Sequence, residues 1–125
     1  MNDILIRYAE KVGGPRPLST DFPTRVKHQI VEQIASGALE VSVLASGFHM
    51  SQRTLQRKLA ELGTSVTDLV EAVRRDLAAQ YIRESNITVS EIAYLLGYAD
   101  ASAFHHAFKR WFGETPMTYR ARARS

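Results

Sequence analysis

Cysteine is absent from this 125-residue chain. A chain without cysteine cannot form disulfides or thiolate zinc sites, which excludes disulfide-stapled secreted domains and cysteine-ligated zinc fingers. A domain of this length buries roughly two-thirds of the surface that its unfolded chain exposes, so it needs no such cross-links. The chain is therefore expected to fold as one compact domain or as two very small ones.

Long apolar runs are also missing. The run Ile4-Leu5-Ile6 is typical of the longest ones, whereas a helix that spans a bilayer needs roughly 20 consecutive apolar residues. The opening residues Met1-Asn2-Asp3 lack the basic side chains that begin a signal peptide. We expect neither a membrane span nor a signal peptide.

Net charge is small. The chain has 16 Lys and Arg against 13 Asp and Glu, which gives +3. Residues 1–50 are balanced, with five charges of each sign, and residues 51–125 carry eleven basic against eight acidic side chains. This excess is consistent with an anionic partner for the second part of the chain, and equally with an ordinary solvated surface.

Apolar residues recur at helical spacing, and no segment alternates as a strand would. A short helix containing Ile4, Leu5, Tyr8 and Val12 is predicted first, followed by a loop at Gly13-Gly14-Pro15-Arg16-Pro17. The helices predicted after this loop cover about residues 24–36, 41–48, 51–63, 66–84, 88–97, 100–113 and 115 onward. Expected N-caps are Ser51, Ser65, Thr115 and the Thr88/Glu91 capping box, and the expected stops include Gly37 and Gly113. The predicted fold class is all-α, with about seven helices.

The chain also repeats itself. Leu44-Ala45 with Phe48 matches Ile92-Ala93 with Leu96 at an offset of 48, and the apolar pairs of the following helices match at an offset of 49. The change of offset from 48 to 49 means that the second copy has one extra residue, which falls in the turn between its two helices. Each copy has the layout of a helix-turn-helix, in which the first helix braces a second helix that reads a DNA major groove.

Helical wheels separate the two faces of each second helix. With Leu55 at zero, Leu59 and Leu62 lie within about 40 degrees of it and are expected to be buried. Arg53 and Arg57 point away, with Gln56 beside them, which suits bidentate contacts to guanine and adenine but also describes ordinary solubilising arginines. In the second copy the inner stripe is Phe104, Phe108 and Trp111, and the outer residues are Ser102, His106 and Lys109, with His105 at the edge. No metal site is expected at His105-His106, because adjacent helical residues diverge by about 100 degrees.

Four segments resemble the DNA-binding domain of AraC/XylS-type transcriptional regulators. They are residues 55–59 (LQRKL), 90–98 (SEIAYLLGY), 103–116 (AFHHAFKRWFGETP) and 119–120 (YR). The resemblance covers about residues 24–122 and implies two helix-turn-helix subdomains joined by a long linker helix. A linker of about 20 residues is about 30 Å long, close to the roughly 34 Å between successive major grooves on one face of DNA.

The resemblance also implies site residues. The base-contact candidates that it implies are Gln52, Arg53, Gln56, Arg57, Ala101, Ser102, His105 and His106. The basic side chains and the starts of the reading helices supply the phosphate-contact candidates, which are Ser51, Lys58, Lys109, Arg110 and Arg120. The tail residues Arg122 and Arg124 are expected either to join these contacts or to form a frayed, solvated terminus. Two positions depart from the family pattern. His49 replaces the usual glycine of the first turn, and His106 stands where arginine is common, so we expect the first subdomain to carry more of the sequence specificity.

The implied organisation is a remnant of a regulatory domain at 1–22, a first helix-turn-helix subdomain at 23–64, a linker helix at 65–86 and a second subdomain at 87–125. The implied partners are double-stranded promoter DNA, RNA polymerase and, if the chain is a fragment, a sensor or dimerisation domain in cis. The implied role is a cytoplasmic, nucleoid-associated bacterial regulator, with activator as the expected type.

We expect no cofactor and no enzyme activity, because no phosphate-binding loop or nucleophile elbow is present. The alternative is a helical protein-interaction or dimerisation module that uses the same basic face.

Overall fold

The computed structural model describes residues 21–37 and 39–124, together with Ile4 and Arg7, which are both helical. The rest of the predicted first helix and the Gly-Pro loop lie outside the described residues. The described part is all-α and contains no strand. Its helices are α1 (Phe22–Ser36), α2 (Val41–Ser46), α3 (Gln52–Glu61), α4 (Val66–Glu84), α5 (Val89–Leu95), α6 (Ala101–Phe112) and α7 (Pro116–Ala123).

Local capping explains where these helices begin. The Ser51 hydroxyl accepts from the Thr54 amide at 3.1 Å, and the Ser65 hydroxyl accepts from the Asp68 amide at 3.1 Å. The capping box before α5 is present, and Thr115 caps α7 ahead of Pro116. These predictions are confirmed. Helix α1 begins two residues before the predicted start, because Asp21 caps it and a proline lies in its first turn.

Two compact units divide the chain, Met1–Val73 and Arg74–Ser125. The first contains α1 to α3 and the beginning of α4, and its fully buried side chains include Ile30, Leu44, Leu55 and Leu59. In this unit α2 packs against both α1 and α3. The predicted subdomain boundaries near residues 65 and 87 stay a prediction.

The second unit contains the remainder of α4 and α5 to α7 around an aromatic core. The Phe108 ring contacts Phe104, Phe112 and Tyr119, with centroids 5.8, 4.7 and 5.4 Å away. Phe104 and Phe108 are fully buried. Aromatic pairs at these distances add to the free energy gained by burying the rings, and the Phe108–Tyr119 pair joins α6 to α7.

Three predictions of burial and length are corrected. Leu62 is 56% exposed, because α3 ends at Glu61 and the chain turns away into Gly63 at φ 81°. Helix α2 ends at Ser46 and not at Phe48. Trp111 is half-buried at the edge of the aromatic core.

The predicted stripe of α4, Leu69, Val73, Leu77 and Tyr81, is buried as expected. None of the described helices has the length and apolar composition needed to cross a membrane.

Candidate nucleic-acid interface

The first unit contains a tight turn between α2 and α3. The amide of Met50 donates to the Ala45 carbonyl at 3.2 Å, and the amide of His49 donates to the Ser46 carbonyl at 3.0 Å. His49 sits between these bonds at φ 60°, a left-handed conformation that usually requires glycine. A short helix, a left-handed turn and a longer helix together form a helix-turn-helix.

The second unit builds the same turn between α5 and α6. The amide of Tyr98 donates to the Ala93 carbonyl at 3.0 Å, and the amide of Gly97 donates to the Tyr94 carbonyl at 3.1 Å. Both bonds match those of the first turn at an offset of 48 residues. The caps Ser51 and Asp100 differ by 49, so the extra residue of the second copy is Ala99, just before the cap.

Helix α3 presents the predicted polar face to solvent. Gln52, Arg53, Gln56 and Arg57 are all exposed, whereas Leu55 and Leu59 on the opposite side are fully buried. The Arg57 Nε lies 3.8 Å from an oxygen of Glu61, one turn further along the same face. Glu61 was not among the predicted site residues, although its i, i+4 spacing to Arg57 could have revealed it. This face offers donors suited to base edges.

Lys58 lies at the flank of α3. Its Nζ is 5.5 Å from the centre of the Phe22 ring at the start of α1, within the range of a cation–π contact. The ring itself packs edge-on against Phe48 in the turn, with centroids 5.4 Å apart. Lys58 is therefore held beside the exposed face of α3 and remains exposed.

Helix α6 presents the corresponding face of the second unit. Ser102, His105, His106 and Lys109 are exposed, and Ala101 is half-buried. Together with Thr115 they line a shallow, open cavity of about 430 Å³. The structure thus brings all four second-copy base candidates together with Lys109. None of these residues is an arginine, so their donors are hydroxyl, imidazole and ammonium groups.

Arg74 braces the second turn from α4. Its Nε donates to the Leu96 carbonyl at 2.8 Å, and its guanidinium carbon lies 4.9 Å from the centre of the Tyr98 ring. A Cβ placed on Gly97 would lie 3.1 Å from an Arg74 nitrogen. Sequence reasoning missed this role, because nothing in the spacing of residues 74 and 96 indicates that they meet.

Arg120 occupies a half-buried, structural position. Its guanidinium donates to the carbonyls of Ile82 at 3.0 Å, Ile87 at 2.9 Å and Tyr81 at 3.4 Å. Burial lowers the pKa of this guanidinium, and the neighbouring Arg124 lowers it further. The bonds to Tyr81 and Ile82 satisfy carbonyls at the end of α4, and the bond to Ile87 satisfies a carbonyl of the loop that follows. The structure therefore places Arg120 in a capping role, not at the predicted phosphate-contact surface.

The tail arginines are also bonded within the second unit. Arg124 donates to the Ser85 carbonyl, and to the Asn86 side chain at 2.7 Å. Arg122 forms an ion pair with Glu114, which raises the pKa of the guanidinium by hydrogen bonding and charge attraction.

Lys109 and Arg110 remain exposed on α6. In the part of the chain that the structure describes, no three His, Asp or Glu side chains are grouped as metal ligands.

Comparison with protein families identifies the chain. The model of a helix-turn-helix domain family matches residues 44–122, which include both turns and both exposed faces. The chain belongs to the AraC-type helix-turn-helix family. The AraC-type resemblance predicted from residues 55–120 is confirmed, and so are the all-α fold and the duplicated helix-turn-helix.

Two regulators are similar to this chain in the same region. The chain is 42% identical to the HTH-type transcriptional regulator VirS of Mycobacterium tuberculosis over 88 residues, which are 70% of this chain and 26% of VirS. It is also 42% identical to the ornithine utilization regulator of Pseudomonas aeruginosa over 76 residues, 61% of this chain and 22% of that protein. The chain thus spans about a quarter of the length of these relatives.

Solved AraC-type structures superpose closely on this chain. A DNA-binding transcriptional dual regulator from Escherichia coli K-12 matches with a TM-score of 0.78 and 30% identity, over 86% of this chain and 96% of that one. The DNA-binding domain of AdpA, a global transcriptional factor solved in complex with a target DNA, matches with a TM-score of 0.71 and 27% identity. That match covers 84% of this chain and 95% of the AdpA domain.

Proposed function

We propose that this chain is a sequence-specific DNA-binding transcriptional regulator that inserts α3 and α6 into adjacent major grooves of promoter DNA. The observation that carries the proposal is the exposed face of α3, where Arg53 and Arg57 stand one turn apart above the buried Leu55 and Leu59. Arginine pairs bidentately with guanine, and the neighbouring glutamines suit adenine. The DNA complex of the similar AdpA domain supports the same partner.

The proposed contacts are divided between bases and phosphates. The base contacts come from Gln52, Arg53, Gln56 and Arg57 on α3 and from Ala101, Ser102, His105 and His106 on α6. The phosphate contacts come from Ser51, Lys58, Lys109 and Arg110, which are all exposed. Arg120 leaves this set, because its guanidinium is bonded to three carbonyls.

The proposal extends to the regulatory context. If these residues belong to a longer regulator, a sensor or dimerisation domain in the same chain supplies the response to an effector, and contact with RNA polymerase couples DNA binding to transcription. The names of the relatives support a role in transcription for a protein that contains this domain. The proposed location is the bacterial cytoplasm, at the nucleoid.

Selection of binding sites from random duplex DNA tests the proposal. We expect an enriched site with two half-sites about 10 base pairs apart, because successive major grooves on one face are separated by one helical turn. The double variant Arg53→Ala/Arg57→Ala should lose the half-site read by α3. The matched control Arg75→Ala removes an exposed arginine from α4 and should retain the full site. Absence of any enriched site, or an affinity that does not change with salt, would contradict the proposal.

A further inference from the structure

We propose that Arg25, on α1, contacts a DNA phosphate and forms with Lys58 a two-cation phosphate clamp beside α3. This inference rests on the proposed function and adds a contact from a helix outside the helix-turn-helix. Neither the charge distribution nor the family resemblance pointed to it, because residues 1–50 have no net charge and Arg25 lies 33 positions before Lys58.

One aromatic ring brings the two cations together. The Arg25 guanidinium carbon and the Lys58 Nζ each lie 5.5 Å from the centre of the Phe22 ring. Because both are measured from the same centre, the two charges are at most 11.0 Å apart. Phe48 packs against the ring edge and limits its movement. The positions of both cations are therefore set by the fold of the first unit.

The pair has no counter-charge in the part of the chain that the structure describes. Neither Arg25 nor Lys58 makes an ion pair or a side-chain hydrogen bond there, and both are exposed. The carboxylates nearest in sequence have other partners: Asp21 accepts the Thr24 amide at 2.9 Å as the cap of α1, and an oxygen of Glu61 lies 3.8 Å from the Arg57 Nε. Two like charges held near each other repel, and an anion that approaches both relieves that repulsion.

The position of the pair identifies the anion. Lys58 lies about 60 degrees from the buried Leu55 on the α3 wheel, between the core and the exposed reading face. A helix in the major groove has a phosphate backbone along each flank, and basic side chains at that flank set its register. Arg25 lies within 11.0 Å of Lys58 through their shared ring, and the clamp places both cations on the phosphates along that flank.

The test is the salt dependence of DNA affinity, measured with the complete 125-residue chain on its selected site and on random duplex. We expect Arg25→Gln to weaken both complexes by a similar factor and to reduce the slope of log affinity against log salt by about 1. Arg25→Lys, which keeps the charge, should retain most of the slope. Lys27→Gln removes the same charge from the same helix without disturbing the ring contact, and its slope should stay close to that of the unmodified chain.

The outcomes separate this inference from the proposed function. If the unmodified chain binds its selected site and Arg25→Gln behaves like Lys27→Gln, the clamp is wrong and the proposed function stands. A loss confined to the selected site would likewise contradict a phosphate contact, because phosphates carry no sequence information. If the unmodified chain binds no duplex, both proposals fail. Far-ultraviolet circular dichroism of each variant checks that α1 remains folded.

Discussion

His49 and Gly97 occupy the same position in the two helix-turn-helix turns, and both have a positive φ, 60° and 86°. Each amide donates to the residue three positions earlier, and the next amide in each case closes a longer bond back to Ala45 or Ala93. Equivalent hydrogen bonds therefore impose the same backbone on two different residues. Glycine adopts this conformation without steric cost, whereas histidine is strained by its Cβ.

The first prediction concerns this strain. His49→Gly should raise the free energy of unfolding by about 1 kcal/mol, because it removes the Cβ clash at φ 60°. Urea denaturation followed by circular dichroism measures the change. The companion variant Gly97→Ala should destabilise by about 1 to 2 kcal/mol, since it creates that strain and places a Cβ 3.1 Å from Arg74. A His49→Gly variant that is no more stable than the unmodified chain would contradict this prediction.

The second prediction separates structural from DNA-binding arginines. Arg120→Gln should lower the free energy of unfolding by about 1 to 2 kcal/mol, because carbonyls at the end of α4 and in the loop after it lose their charged donor. The salt slope of DNA binding, measured well below the unfolding temperature, should not change. Lys109→Gln on the exposed surface of α6 should do the reverse. An unchanged stability of Arg120→Gln combined with a reduced salt slope would return Arg120 to the phosphate contacts.

The third prediction ranks the two reading faces. Arg57→Ala should weaken binding to the selected site by about 1 to 3 kcal/mol and relax the preference at one base position. His106→Ala should have a smaller effect, because a single imidazole lacks the paired donors of a guanidinium. Binding titrations of both variants on the selected site and on single-base substitutions give the comparison. A larger loss for His106→Ala would reverse the ranking.

The fourth prediction concerns acid stability. Hydrogen bonds from Thr24 lower the pKa of the Asp21 carboxyl below its ordinary value of 3.8. A lowered folded-state pKa means that ionised Asp21 stabilises α1 above pH 3.8, and that this contribution disappears as pH falls through the folded-state value. Asp21→Asn keeps a capping oxygen but does not titrate. The advantage of the unmodified chain over Asp21→Asn should shrink below pH 3.8. A difference between the two that stays constant across acid pH would contradict the assignment.

The sequence by itself determined the helices, their caps and the duplicated motif. Caps such as Ser51 and Thr88 act on amides three residues away, and the buried stripes repeat every three or four residues, so the information is local. The exposed face of α3 followed from the same periodicity. Leu62 was placed wrongly because the wheel assumed a helix that continues beyond Glu61, whereas the chain leaves the helix there.

Tertiary structure alone decided which distant residues meet. Arg120 reaches Ile82 across 38 positions, Arg74 reaches Leu96 across 22, and Arg25 and Lys58 share the ring of Phe22. A basic residue on a helix surface has the same local pattern whether it meets a carbonyl, an aromatic ring or solvent. Its role depends on packing between elements far apart in the chain, and that packing assigned Arg120 to the end of α4 while it left Arg53 and Arg57 exposed.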